Sequence, residues 1–155
     1  DDEYYYFAAV VKDDMYNQPY SGSAVYDGDG IQMAFDPLLE RPVRYNANTY
    51  EYGLSLTPDG PEVYRWQAGA GREIGLVRQA ELKVIVKEEA GVFTVIYEAA
   101  IPFAELAPMN PRSGGYGFNI IFNDNDMTGR DGWIGWTGGI GSSKNPSLFS
   151  EWKYR

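Results

Sequence analysis

Apolar and polar residues alternate in short runs along most of the chain, which is the period of β-strands rather than helices. In GIQMAFD, Ile31, Met33 and Phe35 alternate with Gln32, Ala34 and Asp36. In AELKVIVKEEAGVFTVIYEAAIP, Leu82, Val84 and Val86 alternate with Glu81, Lys83 and Lys87. A turn near Glu89, Ala90 and Gly91 then returns a second strand that ends at Pro102, so this segment reads as a hairpin. YEYGLSLT and EVYRWQA form another pair joined by Thr57-Pro58-Asp59-Gly60, a type I turn pattern. YYYFAAVVK (Tyr4 to Lys12) is an almost unbroken apolar run, as expected of a central strand covered on both faces. GYGFNIIFND and DGWIGWT are the last clear strands. The one helical candidate is PFAELAPM, about two turns, closed by Pro108.

Many short strands, punctuated by Gly, Pro, Asn and Asp and with almost no helix, predict an all-β, antiparallel β-sandwich. It would be a single domain over residues 1–155, with no repeat and no low-complexity tract. Leu38 to Thr49 reads as a polar loop between strands.

Composition removes several chemistries. The chain has no His and no Cys. That excludes Ser-His-Asp and Cys-His catalysis, disulfides, and the usual zinc and haem ligands. A metal site must then be built from oxygen, for Ca²⁺ or Mg²⁺. The net charge of −9, from 22 acidic and 13 basic residues, argues against nucleic acid, which needs a basic footprint. No apolar run is long enough for membrane insertion. Aromatics make up 15% of the chain, enough for some to face a ligand.

Two constellations are candidates for function. Asp124, Asp126 and Asp131 cluster after a strand, and Asp13 with Asp14 follows another. Alternating carboxylates and carbonyls on a tight loop suit a hard cation. The same residues also make ordinary turns, as do Asp27 and Asp29 in DGDG. The second constellation is aromatic. Trp133 and Trp136 lie three apart and so point to opposite faces of a regular strand, one towards the core and the other outwards. Trp66 shares a face with Tyr64. Ring faces suit stacking on pyranose C–H groups, with flanking amides and carboxylates for the hydroxyls; such rings also commonly fill sandwich cores. No nucleophile–base motif is present, so a non-enzymatic role is expected.

The segments YYYFAAVVKDD, YDGDGIQMAFDP, YEYGLSLT, YEAAIPFAEL, GYGFNIIFNDND and GRDGWIGWTGGIGSSKNPSLF occur in an order and spacing that resemble carbohydrate-binding module family 9. The resemblance implies a jelly-roll or immunoglobulin-like sandwich stabilised by calcium. It implies non-catalytic binding of oligo- or polysaccharides such as xylan or cellulose, as part of a secreted or cell-surface protein active in polysaccharide degradation. It places Tyr26 as one side of a sugar clamp and Gln32 as a polar sugar contact; the residue pattern itself adds Trp66, Trp136 and Asn119 as further binding candidates. Three features depart from the family pattern. Ser142 and Ser143 stand where a second clamp aromatic is expected before Lys144-Asn145-Pro146. Gly53 stands where a basic residue is expected, and the strands that usually precede the Asp-Asp-Glu-Tyr-Tyr segment are missing. The alternative is a structural or assembly domain of a surface layer or filament that kept the fold and lost sugar binding. In that reading Tyr4 to Val11 would form a strand-mediated contact with another chain.

Overall fold

The computed structural model describes residues 2–69, 71–112 and 114–153. Among them, ten strands form two antiparallel sheets. The smaller sheet has the order β1-β7-β6, built from β1 (Tyr4–Asp13), β6 (Glu81–Glu89) and β7 (Val92–Pro102). The larger has the order β10-β8-β2-β3-β4-β5, with β9 also paired to β8. Its strands are β2 (Gly30–Asp36), β3 (Tyr50–Thr57), β4 (Gly60–Gln67), β5 (Gly75–Leu76), β8 (Tyr116–Asp124), β9 (Gly132–Gly135) and β10 (Ser150–Trp152). The antiparallel β-sandwich predicted from alternation is therefore present.

The core lies between the sheets. Met33, Phe35, Tyr52 and Leu54 from the large sheet meet Tyr5, Val95, Tyr97 and Ile101 from the small one. Aromatic edges lock the layers together: Tyr5 meets Phe35 edge-on with centroids 5.2 Å apart. Such contacts contribute about 0.5–1.5 kcal/mol beyond area burial. A buried ion pair closes one side of the sandwich, Arg65 Nη1 to Glu105 Oε2 at 2.6 Å. It ties β4 to the short 3₁₀ helix Phe103–Leu106.

The predicted hairpin has the expected bounds, Glu81–Glu89 and Val92–Pro102. Its turn places Ala90 and Gly91 in the left-handed region. PFAELAPM makes one 3₁₀ turn, Phe103–Leu106, rather than two helical turns. A second 3₁₀ turn, Gly22–Asp27, carries Tyr26 and was not expected.

The reading of Tyr4 to Lys12 as a central strand is corrected. β1 pairs with β7 on one side, and among the described residues no strand pairs with its other edge. Its inner row, Tyr5, Phe7, Ala9 and Val11, packs on the core, while Tyr6 and Val10 are 60% and 65% exposed. Both rows are apolar, so the sequence pattern carried no sign of an open face.

Beside that edge the large sheet reaches further than the small one. Ile134 pairs with Phe122 and Trp152 with Tyr116. Residues opposed in a ladder stand on the same face, so both side chains project on the core side. Trp136 packs beside Trp152, with centroids 6.3 Å apart. All three are exposed, because the small sheet ends at β1 and does not cover them. No helix among the described residues is long and apolar enough to cross a membrane.

Candidate functional site

The face of the large sheet turned away from the core carries a pocket of about 430 Å³, within the range of small-ligand sites. β2 supplies Gln32, β3 supplies Glu51 and β4 supplies Trp66. The 3₁₀ turn Gly22–Asp27 brings Ser23 and Tyr26 over the sheet. The loop after β8 brings Arg130, and the loop after β9 brings Gly141 and Lys144.

Two of these walls are aromatic. Tyr26 is 42% exposed and meets Trp66 at 6.3 Å with a tilt of 66°. Trp66 is fixed on three sides: Nε1 donates to the Ser23 carbonyl at 2.8 Å, Tyr64 lies 5.6 Å away, and Gly53 lies directly below. A Cβ on Gly53 would come within 2.4 Å of the indole. The position where a basic residue was expected is therefore glycine because the Trp66 indole takes the space that a Cβ would need.

The floor is charged and its members are linked by hydrogen bonds. Glu51 and Gln32 are 1% and 3% exposed. Gln32 Nε2 donates to Glu51 Oε1 at 2.8 Å, and Lys144 Nζ donates to the same oxygen at 2.6 Å. Arg130 Nη1 donates to Gln32 Oε1 at 3.3 Å. Gln32 thus sits between an anionic and a cationic neighbour and orients both. The Arg130 guanidinium lies 5.4 Å from the Tyr26 ring centre and 4.9 Å from that of Trp133, within cation–π range of both. Trp133 has room there because Gly141 has no side chain: a Cβ would lie 2.2 Å from the indole.

Of the predicted binding residues, Tyr26, Gln32 and Trp66 line this pocket together. Trp136 lies outside its lining and faces the core side of the sheet edge. Asn119 is also elsewhere: it is wholly buried and donates to the Thr137 and Gly138 carbonyls at 3.1 and 2.8 Å. Trp133 and Trp136 do point to opposite faces, but neither is in the core, since they are 42% and 66% exposed. Glu51, Arg130 and Lys144 were not singled out from sequence as binding residues. The one signal was Lys144 at the head of the Lys-Asn-Pro element.

The predicted acidic residues gather at the far ends of β1 and β8. Carboxylate oxygens of Asp13, Asp124 and Asp126 all lie within 4.8 Å of one another. Asp14 and Asp131 stand close enough to act on this group electrostatically. Partial burial, then the neighbouring negative charges, raises the Asp124 carboxyl above its usual range, and Asp126 is raised in the same way. Asp131 also has a turn-forming role, accepting from the Asp126 amide at 2.8 Å and from Thr128 Oγ1 at 2.9 Å. Asp29 is a buried hub that accepts the amides of Asn17 at 2.5 Å and Asn125 at 2.9 Å. Burial pushes it up to about 7, against those hydrogen bonds.

A two-sheet sandwich with ring faces set beside a hydrogen-bonding floor is the architecture of a sugar-binding module. The chain belongs to the carbohydrate family 9 binding domain-like family, whose model matches residues 1–153. Two solved structures are similar to it, both of a family 9 carbohydrate-binding module from Caldicellulosiruptor kristjanssonii. The complex with glucose has a TM-score of 0.71 and 22% identity, covering 99% of this chain and 72% of that one. The complex with cellotriose has a TM-score of 0.72 and 22% identity, covering 99% of this chain and 70% of that one. No curated protein matches the chain.

Proposed function

We propose that this chain binds carbohydrate without transforming it, and that the pocket of Tyr26, Trp66, Gln32, Glu51, Arg130 and Lys144 is the site. The observation that carries this reading is the joining of two ring faces to a connected polar floor on one face of the sheet. The solved relatives hold glucose and cellotriose, in keeping with an oligo- or polysaccharide of plant cell-wall type, cellulose or xylan. A non-catalytic role is supported by the lining. Glu51 is its one carboxylate and is paired with Lys144, whereas glycoside hydrolysis ordinarily needs two acids at a set separation. A binding module of this kind suits a secreted or cell-surface protein that works on glycans.

One ring face adds about 1 kcal/mol, and hydroxyl hydrogen bonds about 0.5–1.5 kcal/mol each. Set against the lost freedom of the ligand, affinity for a mono- or disaccharide falls in the millimolar range, near −4.1 kcal/mol. Calorimetry tests it: Tyr26→Ala should lose binding while its melting curve stays close to that of the wild type. Unchanged binding would remove Tyr26 from the site.

The acidic cluster is proposed as a calcium site. Asp13, Asp124 and Asp126 fit one chemically, because carboxylates this close repel and hard cations take oxygen ligands. At a hundredfold excess over its dissociation constant, a ligand of the native state adds about 2.7 kcal/mol. At about 2–4 °C per kcal/mol for a chain of this size, millimolar Ca²⁺ should raise the melting temperature by roughly 5–10 °C over chelator. Identical melts would remove the site.

The assembly reading is favoured by a different observation, the open edge of β1 beside exposed Ile134, Trp136 and Trp152. Such an edge can template another strand. In that case Val10→Lys should abolish self-association or partner capture in sedimentation. A wild type that sediments as a bare monomer with every partner tested would set this reading aside.

A further inference from the structure

We infer that the pocket selects a sugar carrying a carboxylate, a uronic acid, and that Arg130 is the residue that selects it. This rests on the sugar-binding reading above and goes one step further, to the class of sugar. The pocket holds two cations, and they differ. Lys144 is already matched, with its ammonium 2.6 Å from the buried Glu51 carboxylate. Arg130 is not: among the described residues no carboxylate lies within ion-pair distance of its guanidinium. Its polar partners are the neutral oxygens of Gln32 at 3.3 Å and Asn123 at 3.5 Å.

Two neighbouring acids are engaged elsewhere. Asp131 caps the Asp126 amide and the Thr128 hydroxyl. Asp27 accepts the backbone amide of Arg130 at 3.2 Å, not its side chain.

The geometry of the guanidinium also points to a carboxylate. Both of its hydrogen bonds use Nη1, and the Tyr26 and Trp133 rings lie 5.4 and 4.9 Å from it. The Nε–Nη2 edge has no hydrogen-bond partner among the described residues. That edge presents two parallel N–H groups, the fork that matches a carboxylate bidentately. Anchored on the opposite nitrogen and within cation–π distance of two rings, the fork is preorganised, so little side-chain freedom remains to be lost on binding. A neutral hydroxyl can accept from it, but charge-assisted pairs are roughly twice as strong. The net charge of −9 repels polyanions at long range. The matching ligand is therefore a largely neutral glycan with isolated uronic acid residues, not a continuous polyuronate.

The test is calorimetry with three ligands of one ring shape: methyl glucoside, methyl glucuronoside and methyl glucuronamide, the last having the bulk of the acid without its charge. The wild type should bind the glucuronoside about tenfold more tightly than the other two. In Arg130→Gln that ratio should fall to about one. Arg130→Lys, which keeps the charge and loses the fork, should fall between them and serves as the test if Arg130→Gln fails to fold. Equal binding of all three ligands by the wild type overturns the inference and leaves the sugar-binding reading standing. Binding of none overturns both. A preference that survives in Arg130→Gln overturns the assignment to Arg130.

Discussion

Gly53 lies beneath the Trp66 indole, and the two make one of the pocket's walls, so Gly53→Ala should reach both stability and binding. The added methyl would sit 2.4 Å from Cη2 and 2.7 Å from Cζ3 of Trp66, and 3.1 Å from Cγ2 of Val25. These distances are below van der Waals contact, so the ring must move. Its movement is opposed by the hydrogen bond to Ser23 at 2.8 Å and by Tyr64 and Tyr26 at 5.6 and 6.3 Å. Overpacking of this kind costs about 1–3 kcal/mol, which for a chain of this length is a fall of roughly 2–12 °C in melting temperature. A displaced indole also gives up a stacking face, worth about 1 kcal/mol, or roughly fivefold in sugar affinity. The decisive assay is a double-mutant cycle by thermal denaturation. With Trp66→Ala in the background the nearest obstacle is Val25, and the same Gly53→Ala step should cost little. A coupling energy above about 0.5 kcal/mol is expected for groups in contact. No coupling, or a Gly53→Ala protein as stable as the wild type, would refute the idea that glycine is needed there to seat the ring.

Two further outcomes follow from buried charge. Asp29 is raised from an ordinary carboxyl value to about 7 in the folded chain. An acid held protonated by folding stabilises at pH below its unfolded value and loses that contribution as pH rises through its folded one. In chelator the melting temperature should thus be lower at pH 8 than at pH 5.5, and Asp29→Asn should flatten the difference; equal wild-type melts at the two pH values would refute this. Arg65→Met leaves the buried Glu105 with only the more distant Arg72, 3.7 Å away, and should cost less than the roughly 3–5 kcal/mol of a wholly orphaned charge, with recovery in Arg65→Met/Glu105→Leu; a melt unchanged in the single variant would refute it.

The parts of the fold legible in sequence are those whose signal is local. The β6–β7 hairpin was readable because alternation on both strands meets a Glu-Ala-Gly turn, and the structure has the same bounds. β1 was misread because an open face and a covered one look alike when both are apolar. The candidate site was legible in half. Tyr26 and Gln32 came from a family pattern, and Trp66 from its spacing to Tyr64. Glu51, Arg130 and Lys144 lie on a strand and two loops far apart in the chain, so no local pattern joins them. Each looks like an ordinary surface charge until the sheet register puts Gln32 between Glu51 and Arg130. Trp136 was misplaced for a simpler reason. Spacing put Trp133 and Trp136 on opposite faces without saying which, and the pairing of Ile134 with Phe122 turns Trp136 to the core side.

The two candidate sites share a loop, and if the acidic one holds a cation the two should depend on each other. The segment from Asn125 to Asp131 begins in the acidic cluster and presents Arg130 to the pocket. It is tightly tethered: the Asn125 amide donates to Asp29 at 2.9 Å, its side chain donates to the Asp27 carbonyl at 2.7 Å, and the Arg130 amide returns to Asp27 Oδ1. Met127 and Gly129 both take left-handed backbone angles, at φ 83° and 101°, a strained path for methionine that its surroundings must hold in place. Repulsion among Asp13, Asp124 and Asp126 works against that path, and a cation bound by them would remove the repulsion. Calcium should then favour the loop conformation in which the guanidinium is seated between Tyr26 and Trp133. Linkage makes the effect reciprocal: whatever factor Ca²⁺ adds to glucuronoside affinity, the sugar must add to Ca²⁺ affinity. Calorimetry in both directions measures the two factors independently. Equal sugar affinities with Ca²⁺ and with chelator, in a protein whose melting shows that Ca²⁺ binds, would mean that the loop is already fixed by its hydrogen bonds and that the two sites act alone.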